Sequence, residues 1–224
     1  MLSMSGNPEV ITLDMMRQSL YSAVVCDVLD SLGFTRQSPQ IPLKPVSIDS
    51  VLVGRAKTTL WTDMTEKDPS PYEKELIAVD DCRPDDVLVA AAGGSTRSGI
   101  WGELLSTAAL NRGCVGAIVH GAVRDVAKMR AMQFPVFALA TSPYDSKDRQ
   151  CVTEIDIPVE IDGVVFHPGE LVIADIDGIV VVPRAAESET IRLAWQKVHA
   201  ENEVRSAIKN GMPATEAYRR FGVL

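Results

Sequence analysis

Two short stretches hold the residue types that can do chemistry. Gly93-Gly94-Ser95-Thr96-Arg97-Ser98-Gly99-Ile100-Trp101-Gly102-Glu103-Leu104-Leu105 reads as a glycine-rich turn running into a helix. About twenty residues later, His120-Gly121-Ala122-Val123-Arg124-Asp125 reads as the end of a buried strand running into another helix. The first amides of a helix have no intrahelical acceptor, and with the helix dipole they favour an anion. If both turns lie on one sheet edge, Glu103, Arg124, Asp125 and the amides of Gly102 to Leu105 surround one small space. Two carboxylates, a guanidinium and unpaired amides suit a divalent cation together with a small oxo-acid anion. Each stretch also has a plainer reading. Gly102 to Leu105 makes sense as a tight turn followed by two core leucines, and Asp125 as a helix cap or a partner for Arg124. The combination points to a site more strongly than either part.

Donor chemistry narrows the cation. His120, His167 and His199 are scattered and lack zinc-ligand spacing. Carboxylate and water ligands suit Mg²⁺ or Mn²⁺. Nucleophilic catalysis is disfavoured, because Ser95 and Ser98 sit in no Gly-x-Ser-x-Gly elbow. The Gly93-Gly94 turn is not followed by Gly-Lys-Ser/Thr, so it is no P-loop. Arg97 reads either as a contact for a substrate carboxylate or as a solvated loop arginine.

The whole chain agrees with a small-molecule enzyme. Its 224 residues suffice for one sizeable core. A net charge of −8 with no basic stripe argues against a nucleic-acid surface. Four separated cysteines without a Cys-x-x-Cys pair fit a reducing, cytoplasmic setting. No apolar run reaches membrane-spanning length, and Met1 to Pro8 lacks the pattern of a secretory signal.

The elements that must position the two stretches follow from periodicity. Residues 1–11 read as a loose arm. Leu13 to Leu32 keeps helical spacing, with Thr12 as cap and Gly33 as stop. Ser38 to Pro45 is a loop, Val51 to Trp61 a strand with Gly54 as a candidate bulge, Thr62 to Pro71 a polar loop, and Tyr72 to Val79 a short helix. From Asp86 the pattern becomes α/β. Apolar runs Val87 to Ala92, Val115 to Val119 and Pro135 to Ala140 read as buried parallel strands. Helices Ile100 to Asn111 and Arg124 to Met132 connect them as two βαβ units. Asp162-Gly163 and Asp177-Gly178 signal hairpins within 159–165 and 171–182. Ala186 to Lys209 is a long helix, and Pro213 opens a last short one to Phe221. The sum is a single domain over 1–224: a β/β/α sandwich with flanking terminal helices, those of 186–224 being candidates for oligomer contacts.

Trp101-Gly102-Glu103-Leu104-Leu105, Gly113-Cys114-Val115-Gly116 and Gly121-Ala122-Val123-Arg124-Asp125 give the chain a resemblance to a known family. It contains 4-hydroxy-4-methyl-2-oxoglutarate aldolases, 4-carboxy-4-hydroxy-2-oxoadipate aldolases and the regulator of ribonuclease E activity A. The resemblance covers most of the chain. Active aldolases of the family carry an acid, twenty intervening residues, then Arg-Asp, as Glu103 and Arg124-Asp125 do here. The characterised aldolases usually have aspartate where Glu103 stands, one methylene shorter. The resemblance implies a swivelling-domain-like fold and a class II aldolase for pyruvate-yielding 2-oxo acids, often with oxaloacetate decarboxylase activity. Asp125 would then hold Mg²⁺ or Mn²⁺, with Glu103 acting through a water. The amides of Gly102, Glu103, Leu104 and Leu105 would bind the substrate carboxylate, and Arg124 would face the developing oxyanion. The family forms trimers, often paired as hexamers, and an acid of the C-terminal helix completes the neighbouring subunit's site. Glu201 and Glu203 are the candidates here, although both also read as residues of a solvated helix face. Two alternatives remain: a regulator of ribonuclease type without chemistry, and a related metal-dependent lyase for another oxo acid. The loops Thr62 to Pro71 and Ser142 to Gln150 are the places where substrate choice would be set.

Overall fold

The computed structural model describes residues 10–222. The arm read over 1–11 therefore lies almost wholly outside the described residues.

Helices α1 (Leu13–Ser19) and α2 (Ser22–Ser31) lead into a two-residue strand β1 (Lys44–Pro45) and the long strand β2 (Leu52–Asp63). Then follow α3 (Glu73–Asp80), β3 (Asp86–Ala91), β4 (Gly99–Trp101), α4 (Glu103–Asn111), β5 (Gly116–Val123), α5 (Val126–Ala131) and β6 (Val136–Thr141). The last part holds β7 (Gln150–Ile155), the hairpins β8 (Val159–Ile161) to β9 (Val164–Phe166) and β10 (Leu171–Ala174) to β11 (Ile179–Val182), then α6 (Glu187–Lys209) and α7 (Ala214–Phe221).

The main sheet runs β1-β6-β5-β3-β2-β10-β11, with β4 added beside β5 and β7 beside β2. Strands β2, β3, β5 and β6 are parallel neighbours, so α3, α4 and α5 are successive crossovers. The run holds one more βαβ unit than the sequence reading found, because β2 also pairs parallel to β3. One face of the sheet packs residues of α3, α4 and α5 (Val79, Ala109, Met129) with Leu88, Trp101, Val119 and Phe134. The opposite face is covered by the β8–β9 hairpin, through Ile161 and Phe166 against Val89, Ile118 and Phe137. Helices α1, α2 and α6 pack against Val53 and the β10–β11 hairpin. The result is an α/β fold with a curled mixed sheet in a β/β/α arrangement, flanked by terminal helices. No helix among the described residues is long and apolar enough to cross a membrane.

Three expectations need correction. The helix read over Leu13 to Leu32 breaks at Leu20 and Tyr21, both extended. The cause is distant: the buried Asp175 carboxylate accepts the Ser22 amide and hydroxyl, each at 2.6 Å, and starts a second helix there. Thr12 does cap α1, accepting from the Met15 amide. Gly54 is not a bulge; the β2 irregularity falls between Leu60 and Trp61. A Cβ at Gly54 would meet the Asp85 carbonyl at 2.4 Å, so the glycine permits close strand approach. Ile100 and Trp101, read as the first residues of a helix, belong instead to β4, and β7 was not foreseen.

Both aspartate-glycine hairpins are present. Asp162 and Gly163 take φ values of 51° and 76°, the left-handed pair that a two-residue hairpin turn demands.

Candidate active site

Strand β4 creates the site. It pairs with the end of β5, Gly99 opposite Ala122 and Trp101 opposite Val123, and the Arg124 amide donates to the Trp101 carbonyl at 2.8 Å. This pairing sets the start of α4 directly beside Arg124 and Asp125. Trp101 locks it: its ring is 1% exposed, and its indole donates to Ser106 Oγ, which donates to the Gly102 carbonyl. Gly102 is required by space. A Cβ there would lie 2.6 Å from Asp125 Oδ2 and 3.1 Å from Arg124 Cγ.

Asp125 has φ 58°, in the left-handed region, and does not cap its own helix α5. Its carboxylate instead faces the start of α4, where Oδ2 accepts the Glu103 amide at 3.3 Å. Arg124 Nε lies 3.8 Å from the same oxygen, and Arg124 Nη1 lies 3.6 Å from Asp145 Oδ1. The Glu103 carboxylate is near Lys128 Nζ (3.8 Å) and accepts from Thr107 Oγ1 at 3.3 Å. The Leu104 and Leu105 amides, in the first turn, have no intrahelical acceptor. Leu104's side chain is exposed and Leu105's packs against the α3–α5 core. Glu103, Arg124, Asp125 and these amides thus meet around one space.

Three residues the sequence reading missed close that space. Asp145, in the loop after β6, accepts from the Tyr72 hydroxyl at 2.9 Å. Burial raises its pKa, but the Tyr72 and Lys147 hydrogen bonds and the Arg124 charge outweigh that, and hold the carboxyl below its ordinary range. Tyr72 precedes α3 with φ 69°. Burial and the bond to Asp145 push its phenol up to about 12, so it stays a donor. Glu75, 8% exposed, lies on the buried face of α3. Burial first, then the Asp145 charge, push it up to about 8, against Ser146 and Arg124. It is therefore a neutral acid beside an ionised one.

Other candidates lie elsewhere or are engaged. Arg97 Nη1 donates to the Met64 carbonyl, and Ser95 Oγ to Asp63, so both tie the glycine turn to the end of β2 and the residue after it. The His120 ring lies against Gly94 with Nδ1 buried and unpartnered, and burial lowers its pKa. Among the described residues, no three His, Cys, Asp or Glu side chains converge as a ready metal cage. A cation held by Asp125, with Glu103 acting through a water, would keep most of its sphere for water and substrate oxygens. That donor set fits Mg²⁺ or Mn²⁺, which bind protein through one or two carboxylates, and not zinc.

A family model described as RraA-like: Aldolase/RraA matches residues 22–181, which include β4, α4, β5 and the whole of this site. The chain belongs to the RraA-like family. A Halalkalibacterium halodurans protein named "Putative 4-hydroxy-4-methyl-2-oxoglutarate aldolase" is 30% identical over 202 residues, 90% of each chain. Protein DlpA of Legionella pneumophila is 29% identical over 88% of this chain, which spans only 31% of DlpA. Among solved structures, Streptomyces coelicolor RraAS2, described as an unusual member of the RNase ES inhibitor RraA protein family, superposes with a TM-score of 0.76. It is 28% identical, covering 89% of this chain and 98% of that one. The fold is the RraA swivelling-domain fold.

The two acids of the C-terminal helix that the sequence reading singled out, Glu201 and Glu203, differ in their surroundings. Glu201 is engaged within its own chain, accepting from the Tyr21 hydroxyl and lying 4.0 Å from Arg205. Glu203 is exposed on α6.

Proposed function

We propose that this RraA-like protein is a divalent-metal-dependent carbon–carbon lyase. It cleaves a 4-hydroxy-2-oxo acid to pyruvate and also decarboxylates oxaloacetate. The observation that carries the reading is the Asp125 carboxylate held over the start of α4, beside Arg124 and the unpaired amides of Leu104 and Leu105. A cation held by Asp125, and by Glu103 through a water, would supply Lewis acidity for an enolate of pyruvate.

The chain's own groups do the rest. The substrate carboxylate sits on the α4 amides, where dipole and donors favour it. Arg124 lies between Asp125 and Asp145, so its guanidinium is held beside the space where oxyanion charge develops. Gly102 keeps the two acidic and basic partners at backbone contact. Glu203 of a neighbouring copy is our candidate for closing the site, in a trimer or hexamer.

The deciding experiment measures pyruvate release from oxaloacetate and from 4-hydroxy-4-methyl-2-oxoglutarate, with Mg²⁺ or EDTA, for wild type and Asp125→Ala. Metal-dependent release that disappears in the variant supports the reading; no release from either substrate under any condition refutes it. The likeness to RraAS2 favours one second reading, a metal-independent regulator that binds a ribonuclease. It gains if pyruvate is never formed and a ribonuclease is bound in EDTA.

A further inference from the structure

The lyase reading needs a base for the substrate's 4-hydroxyl, and five of this chain's carboxyl and phenol groups border the space: Asp125, Glu103, Tyr72, Glu75 and Asp145. Glu75, 8% exposed, keeps its proton at neutral pH. Asp125 accepts the Glu103 amide and, in the lyase reading, would hold the cation. Glu103 is assigned to the cation through a water and pairs with Lys128 at 3.8 Å. Tyr72 stays protonated at neutral pH. Within this chain Asp145 is the remaining ionised carboxylate: its Oδ1 lies 3.6 Å from Arg124 Nη1, whereas Asp125 lies against Arg124 Nε. We propose that Asp145 is the general base for the 4-hydroxyl and that Tyr72 is its positioning residue; this rests on the lyase reading above.

The loop holding Asp145 is built to fix it. The Gly99 amide donates to the Tyr144 carbonyl at 2.8 Å, and Gly99 bridges Asp145 as an added strand partner. Ser146 is 4% exposed, and its carbonyl accepts the Arg149 and Gln150 amides. The carboxylate itself is held at both oxygens, by Tyr72 on Oδ2 and by the Ser146 hydroxyl and Lys147 amide, each at 3.4 Å, on Oδ1. A carboxylate offers about four acceptor sites, so room remains for the substrate hydroxyl. Asp145 is about one-third exposed, open to a ligand lying against Arg124.

The step balances without a co-reactant. Asp145 takes the hydroxyl proton, the C4 oxygen becomes a carbonyl, the C3–C4 bond breaks, and its electron pair enters the enolate of pyruvate. The enolate is then protonated at C3, and the proton on Asp145 returns to the pool. Decarboxylation of oxaloacetate produces the same enolate by loss of CO₂ and has no hydroxyl to deprotonate. The two reactions therefore separate the base from everything they share.

The test measures kcat for 4-hydroxy-4-methyl-2-oxoglutarate cleavage and for oxaloacetate decarboxylation on the same preparations of wild type, Asp145→Asn and Tyr72→Phe, with Mg²⁺. A positioned base contributes about 10²–10⁴-fold. The cleavage-to-decarboxylation ratio should fall by at least about 100-fold in D145N, and by about tenfold in Y72F, which loses only the hydroxyl on Oδ2. A ratio is unaffected by the fraction of molecules folded. An unchanged ratio in D145N, with both rates present, overturns the base assignment and leaves the lyase reading standing. A wild type that decarboxylates but cleaves no 4-hydroxy-2-oxo acid also overturns it. A wild type with neither activity overturns the lyase reading itself.

Discussion

Glu75 ties the site to the stability of the whole fold, and its cost can be worked out. In the folded chain its carboxyl is 8% exposed and titrates at about 8, against 4.5 for an unhindered glutamate. Between those values the native state holds a proton that the unfolded state has released. Stability is therefore fully present below about pH 4.5 and falls as pH rises towards 8, by up to about 1.4 kcal/mol per unit. Between pH 5 and 8.5 the loss sums to roughly 4 kcal/mol, a large part of the 5–15 kcal/mol that holds a typical domain. Glu75→Gln keeps the size and the hydrogen-bonding capacity of the neutral acid but cannot ionise. Urea unfolding of both proteins at pH 5, 7 and 8.5, at one protein concentration, should show the variant gaining on wild type by about 4 kcal/mol across that range. A difference that changes by less than about 1 kcal/mol would mean that Glu75 ionises freely, through water or a cation beside it, and would remove the argument that Asp145 carries the only charge of the pair.

Other substitutions test other links. Gly102→Ala drives a methyl to within 2.6 Å of Asp125 Oδ2, so it should abolish pyruvate release while shifting the thermal midpoint by only a few degrees; full activity would show that Asp125 need not stand over α4. Gly54→Ala meets the Asp85 carbonyl at 2.4 Å in the middle of the sheet and should cost about 3 kcal/mol by denaturant unfolding, with activity per folded molecule retained. Asp175→Ala removes the acceptor of the Ser22 amide and hydroxyl and of the Asp177 and Gly178 amides, and should cost at least about 3 kcal/mol, with hydrogen exchange rising first at the start of α2.

The parts of the fold that were legible in sequence are those decided locally. Apolar runs named β3, β5 and β6, aspartate-glycine pairs named two hairpins, and Thr12 named the start of α1. The parts that were not legible are set by groups far away in the chain. Nothing around Leu20 predicts a break, because the group that makes it, Asp175, comes 153 residues after Ser22. Gly99-Ile100-Trp101 has no strand signature of its own length. It is a strand only because the end of β5 offers it a free edge, and that pairing brings Gly102 to Arg124.

The site shows the same division, and it also shows what a closer reading can extract. Glu103, Arg124 and Asp125 stood out because glycines and a fixed interval frame them. Glu75 had a signal that went unused: with Ala78 and Val79 it makes an i, i+3, i+4 stripe, and an acid in an apolar stripe must be neutral, paired or functional. The loop after β6, Ser142 to Gln150, is legible as a substrate-facing segment beyond the carboxyl end of a parallel strand, but nothing in Pro143-Tyr144-Asp145-Ser146 singles out its acid. Tyr72 had no signal, since a tyrosine in a polar loop looks alike whether it meets water or a carboxylate. The missed residues are thus the ones whose partners come from other loops. Acids beyond the carboxyl ends of β3, β5 and β6 belong with acids inside apolar helix stripes, because burial and charge repulsion there decide which of them ionises and so which can act as a base.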